Sequence, residues 1–205
     1  MVLLLCRSGH ATTSAFARQK MLSKKSPRRI YEDDAIYFVT SKTQNNFPFF
    51  REEILGDLWI AELSLAKQLK KFELYAFCLL PDHFHILLRP TAEENLSRVI
   101  KFLKENFSRD VNRIINNEAA TAPSPPLELS TVIQNLTRSF IRQYGEANNF
   151  PKFSWQKSFH DHGLRGERDF ENHFVYCTQN FIKHGLAANW KFTSLNFPEL
   201  IDSLG

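Results

Sequence analysis

The 205-residue chain lacks any CxxC pair: its cysteines are Cys6, Cys78 and Cys177, three in number and far apart. Neither a disulfide framework nor a zinc knuckle is implied, and reduced cytoplasmic thiols are expected. Cys78 sits in an apolar run and reads as a small buried hydrophobe. No run of residues approaches the ~20 consecutive apolar positions of a membrane span, so a cytoplasmic protein is expected. Seven glycines and nine prolines are too few for collagen-like or linker-dominated architectures. Acidic residues are missing from residues 1–31, which hold Arg7, Arg18, Lys20, Lys24, Lys25, Arg28 and Arg29. The formal charge of +4 is therefore a property of this arm. Three readings stay open for it: salt-sensitive affinity for nucleic acid, a solvated leader, or an extension ahead of a start at Met21. Val2–Cys6 is too short for the ~7–15-residue apolar region of a secretory signal.

What the chain does have is a large apolar complement. Nineteen Phe, five Tyr and three Trp exclude wholesale disorder, and the length fits one domain. Residues 35–43 read as a strand. Residues 51–71 read as a helix, with Ile54, Leu55, Leu58, Ala61, Leu65 and Leu69 at spacings of three and four. Residues 72–80 and 83–90 read as two strands broken by Pro81-Asp82, which suits a tight antiparallel hairpin. Residues 93–118 return to helical spacing through Leu96, Val99, Ile100, Leu103 and Phe107. A Pro/Ala/Ser loop at 119–128 follows. A helix over 130–145 ends at Gly145, and residues 153–164 read as a strand turning at Gly163. A helix then runs from Glu167 to His184, stopped by Gly185. Trp190, Phe192 and Phe197 anchor the tail. The order predicts an α+β fold: an antiparallel sheet layered by helices.

Chemistry concentrates in two places. In a strand, alternate residues share a face, so His83 and His85 project together, away from Phe84, Ile86 and Leu88. Two imidazoles on one face make half of a divalent-metal site, although paired histidines also serve simply as hydrogen-bonding groups. In the last long helix, His173, Tyr176 and Asn180 are three and four apart and share a face. Taken alone, a phenol with an amide one turn later is also compatible with plain packing. Asp82 is the nearest carboxylate to the His pair, and strand alternation points it to the opposite face.

Together these stretches resemble the REP-associated tyrosine transposases, a branch of the HUH single-strand endonucleases. Four segments carry the resemblance over about residues 28–190: Arg28–Tyr31 with Ile36–Thr40, Ala76–His85, Trp155–Arg165 and His173–Gly185. Two departures stand out: Phe181 and Ile182 replace the Pro and Val that usually follow the Asn, and the insert at 119–128 and the first 27 residues are longer than the family pattern. The resemblance implies a ferredoxin-like or RRM-like antiparallel sheet with the His pair on a central strand. It implies a domain over 28–190 with an insert near 119–128, a basic extension at 1–27 and a tail at 191–205. It makes Tyr176 the nucleophile, and His83, His85 and Asn180 the ligands of Mg²⁺ or Mn²⁺. The implied partner is single-stranded or hairpin DNA, the implied state a monomer or homodimer, and the product a 5′-phosphotyrosine. His162, Arg165, Lys157, Arg168 and Lys183 are candidate DNA contacts. Two other functions compete: a hairpin-binding module without activity, and a metallohydrolase using water as nucleophile.

Overall fold

The computed structural model describes residues 31, 34–91, 93–118, 127–145 and 148–204. The basic arm at 1–27, Arg28–Ile30 and most of the Pro/Ser insert lie outside the described residues. The elements run β1 (Tyr37–Lys42), α1 (Glu53–Lys70), β2 (Glu73–Leu80), β3 (His83–Arg89), α2 (Leu96–Ile115), α3 (Leu127–Tyr144), β4 (His160–Gly163) and α4 (Glu167–Lys183). The four strands form one antiparallel sheet in the order β2-β3-β1-β4. This is the expected α+β, ferredoxin-like arrangement. Among the described residues no helix is long and apolar enough to cross a membrane.

Strand alternation divides the core between the two faces. Phe84, Ile86 and Leu88 of β3 join Val39, Phe77 and the apolar stripes of α1, α2 and α3 in one large cluster. The other face carries His83, His85 and Leu87 toward α4, where Leu87 packs with Tyr75, Ala76 and Cys177. A register shift between Leu74 and Ala76 inserts Tyr75 as an extra residue in β2. Such a bulge lets Tyr75 and Ala76 serve the same face. β3 therefore lies inside the sheet, with β2 on one side and β1 on the other.

The α1 stripe differs from the expected one. The structure buries Leu55, Leu58, Trp59, Leu63 and Ala66, and leaves Leu69 54% exposed. Trp59 sets this rotation: its indole lies 5.5 Å from both Phe77 and Phe84, and a ring of that size gains more from burial than Leu69 does. The rotation also buries Glu62. Across from it α2 buries Asp110, which accepts hydrogen bonds from Arg109 and Arg113 at 2.7–2.9 Å. Burial, then a hydrogen bond that the protonated carboxyl gives Asp110 and the negative charge of Asp110, push Glu62 up to about 9.

The expected strand over 153–164 is two pieces. Trp155 makes a single bridge to Thr43 and turns its ring onto Phe84, Phe107 and Phe153, and only His160–Gly163 pairs with β1. The C-terminal residues cover the β2 edge. Thr193 bridges Cys78, Leu79 N–H donates to the Phe192 carbonyl at 2.9 Å, and the Trp190 indole N–H donates to the Leu79 carbonyl at 2.7 Å. Covering an edge in this way removes a template for aggregation. Phe192 lies so close to Gly56 that an added Cβ would meet its ring at 2.2 Å. Gly56→Ala is expected to lower stability by about 1–3 kcal/mol through overpacking, despite alanine's better helix propensity. A urea titration reads the loss; an unchanged midpoint would mean that Phe192 does not pack there in solution.

Candidate active site

The His pair stands on the inner strand β3, and both imidazoles are 4% exposed. Their centroids are 4.9 Å apart. Each Nδ1 is held from behind. The His83 Nδ1 lies 2.6 Å from Asp82 Oδ1. An ionised carboxylate can only accept, so His83 donates through Nδ1 and keeps its lone pair on Nε2. The His85 Nδ1 is 2.7 Å from the Thr40 hydroxyl. Thr40 faces His85 because the β1–β3 register places the two directly opposite. The His85 Nε2 is buried without any partner. Burial, together with His83, His184 and Lys42, pushes the His85 ring down to about 3. Burial also lowers His83, against the opposing pull of Asp82. Both rings are thus kept neutral, the form with a lone pair for a cation.

Asp82 is a correction to the strand-alternation reading. Pro81 and Asp82 form the turn between β2 and β3. Alternation does not extend into a turn, and the carboxylate swings toward His83 rather than away from it.

α4 crosses this face and brings the phenol to the imidazoles. The Tyr176 ring is 5.3 Å from His85 and 5.7 Å from Phe38, edge-on to both. Phe38 in turn stacks on His85 at 5.2 Å. Asn180, one turn beyond Tyr176, is 1% exposed, and its amide nitrogen is buried without a partner. The Lys183 Nζ lies 4.5 Å from the centre of the Tyr176 ring. His184, one turn beyond Asn180, stands 5.1 Å from His83. The spacing 176, 180, 184 places all three on one stripe of the helix. Phe181 is buried against Cys78, Leu80 and Trp190, and α4 runs unbroken through it to Lys183. The missing Pro therefore leaves Asn180 in regular helix. Cys177 and Cys78 also face this layer, but burial holds both thiols protonated and so poorly nucleophilic.

The remaining candidate residues separate into distinct places. His162 on β4 stacks on His173 at 4.8 Å, and its Nε2 is 3.0 Å from Asp169 Oδ2. His173 reaches the same carboxylate through Nδ1 at 3.0 Å and lies 5.0 Å from Phe38. Arg165 contributes its backbone N–H to Asp169 Oδ2 at 2.9 Å. That N–H, with His162, holds Asp169 below the usual carboxylate range. Arg168 is exposed in the first turn of α4. Lys157 lines an open groove beside α2 with Lys104 and Lys152, and not the cleft between α4 and the sheet. Three residues of this region escape a reading of the sequence: Thr40, Asp169 and His184. The helical spacing from Tyr176 signals His184; the other two depend on how separate segments meet.

The family model described as Transposase IS200 like matches residues 37–124, from β1 past the end of α2. A Haemophilus influenzae protein named as a REP-associated tyrosine transposase is 26% identical over 173 residues, covering 82% of this chain and 84% of that one. The chain is similar to these transposases over most of its length. A solved REP-associated tyrosine transposase bound to a REP hairpin has the same fold, with a TM-score of 0.54 at 20% identity, covering 88% of this chain and 92% of that one. In this IS200-like chain the His pair lies inside the stretch matched by the family model. Tyr176 and Asn180 lie beyond it, and the fold brings them back to the same face.

Proposed function

We propose that this transposase-like protein nicks and rejoins single-stranded DNA at hairpins, through a covalent 5′-phosphotyrosine on Tyr176. One observation carries the reading: a phenol set edge-on to the inner of two neutral imidazoles, whose Nε2 is buried and unpartnered. A buried nitrogen without a partner is costly, and a cation ligated there would remove the cost. His83, His85 and the Asn180 carboxamide oxygen form a mixed N/O set suited to Mg²⁺ or Mn²⁺. When bound, such an ion polarises the scissile phosphorus and binds a non-bridging oxygen.

The chain's own residues do the rest. Asp82 holds His83 with its lone pair on Nε2, and Thr40 orients the His85 ring, which would present Nε2 to an ion when its Nδ1–H donates to the hydroxyl. The Tyr176 oxygen attacks phosphorus in line and gives its proton to solvent, while the bond from phosphorus to the 3′-oxygen breaks. The Lys183 ammonium beside the ring favours negative charge developing on the attacking oxygen. The departing 3′-oxygen takes up a proton and leaves a free 3′-OH. Because the phosphodiester energy is kept in the tyrosyl bond, the 3′-OH of another strand can reverse the step and rejoin.

The test is incubation with a single-stranded hairpin and Mn²⁺, followed by a denaturing gel. A covalent protein–DNA band supports the reading. Tight binding without any such band would favour the hairpin-binding module. Cleavage with no covalent band would favour water as nucleophile. Asp82→Ala is expected to weaken Mn²⁺ binding about 10–100-fold, because His83 loses the group that orients it. Mn²⁺ electron paramagnetic resonance measures the free ion directly; unchanged affinity would leave Asp82 without this role.

A further inference from the structure

Outside the proposed active site, His162, Asp169 and His173 form a second cluster. One ligand atom from each lies within 4.8 Å of the other two. The two imidazoles stack at 4.8 Å with planes 25° apart, and both turn a ring nitrogen toward one carboxylate. His162 Nε2 is 3.0 Å from Oδ2 and His173 Nδ1 is 3.0 Å from Oδ1. Oδ2 also accepts the Arg165 N–H, and His173 Nδ1 lies 2.9 Å from the Asp169 carbonyl. Zn²⁺ bonded to nitrogen and carboxylate oxygen at roughly 2.0–2.2 Å sets its ligand atoms roughly 3.3–3.5 Å apart in a tetrahedron. The two 3.0 Å contacts go to different oxygens of the one carboxylate, and the three ligand atoms lie within 4.8 Å of one another, so small side-chain rotations bring them to that spacing around one ion.

The geometry points to a second cation site, distinct from the His83–His85 pair, that takes a Zn²⁺-class transition ion on His162, Asp169 and His173. Two imidazoles and one carboxylate are donors of the right hardness for such an ion and leave a coordination position free. His162 is 45% exposed at the side chain, so that position faces water. The site joins β4 to the first two turns of α4, the helix that carries Tyr176. Phe38 lies between the two centres, 5.0 Å from His173 and 5.2 Å from His85. The ion would therefore brace the tyrosine helix against the sheet edge. This inference does not depend on DNA nicking.

The experiment uses the full chain carrying His83→Ala and His85→Ala, which removes the other candidate site. After chelator treatment, Co²⁺ is added as a visible probe, and bound metal is counted. The expected result is one equivalent of Co²⁺ with d–d absorption bands, displaced by Zn²⁺. Adding His162→Gln or His173→Gln is expected to weaken that binding by about 100-fold or more, with circular dichroism confirming the fold. Independently of those added substitutions, Zn²⁺ is expected to shift the ring nitrogen signals of His162 and His173 in ¹⁵N-imidazole NMR. No bound Co²⁺, or binding that survives both glutamine substitutions, or unmoved ring signals, would overturn the site. A failed adduct assay would leave all these outcomes untouched.

Discussion

Tyr176→Phe is expected to abolish the covalent protein–DNA adduct while hairpin binding stays within about twofold of wild type. The substitution removes one oxygen and keeps the ring, so the edge contacts with Phe38 and His85 and the Lys183 contact remain. The thiols of this face cannot replace the lost hydroxyl, since Cys78 and Cys177 are buried and protonated. Loss of a group that makes the bond itself leaves only the binding and polarising contributions, so strand cleavage should fall by a factor on the order of 10³ or more. Quantifying adduct and free cleaved strand on one denaturing gel separates the outcomes. Cleavage retained at wild-type rate in Tyr176→Phe would mean that water is the nucleophile.

Asp110→Ala is the second large effect, and it falls on stability. Asp110 is fully buried; its own burial would raise it, but Arg109 and Arg113 hold it ionised and below its ordinary range. Removing it leaves the largely buried Arg113 guanidinium without its partner, a change that costs about 3–5 kcal/mol in comparable settings. Glu62→Gln should act in the opposite direction. The folded state raises the Glu62 carboxyl from 4.5, so it keeps a proton that the unfolded chain gives up. The associated stability is complete below about pH 4.5 and declines as pH rises, by up to about 1.4 kcal/mol per unit. Glu62→Gln removes that decline, so its gain over wild type should be small at pH 5 and on the order of 2 kcal/mol or more at pH 8. Urea unfolding at the two pH values measures both. A gain independent of pH would show that Glu62 is not held protonated.

The parts legible in the sequence were those set by local periodicity. A period of two put His83 and His85 on one face of β3, and spacings of three and four put His173, Tyr176 and Asn180 on one face of α4. Strand and helix order gave the layered α+β class. What the sequence alone could not display depends on pairing across long separations. Thr40 stands behind His85 through the β1–β3 register. Asp169 gathers His162 and His173 only because β4 lies beside α4. Alternation misdirected Asp82, because it was carried one residue into a turn. The α1 stripe was displaced because apolar spacing alone does not weigh Trp59 against Leu69. Lys157 is near His162 in sequence, yet its loop follows α2 and takes it to a different groove.

The central claim is that His83, His85 and Asn180 hold one cation beside the Tyr176 hydroxyl. Anomalous diffraction from Mn²⁺-soaked crystals tests it most directly. The account predicts a peak bonded to the Nε2 atoms of His83 and His85 and to the Asn180 carboxamide oxygen, with the phenol oxygen facing it. No density between those imidazoles, with Mn²⁺ elsewhere on the protein or absent, would contradict it.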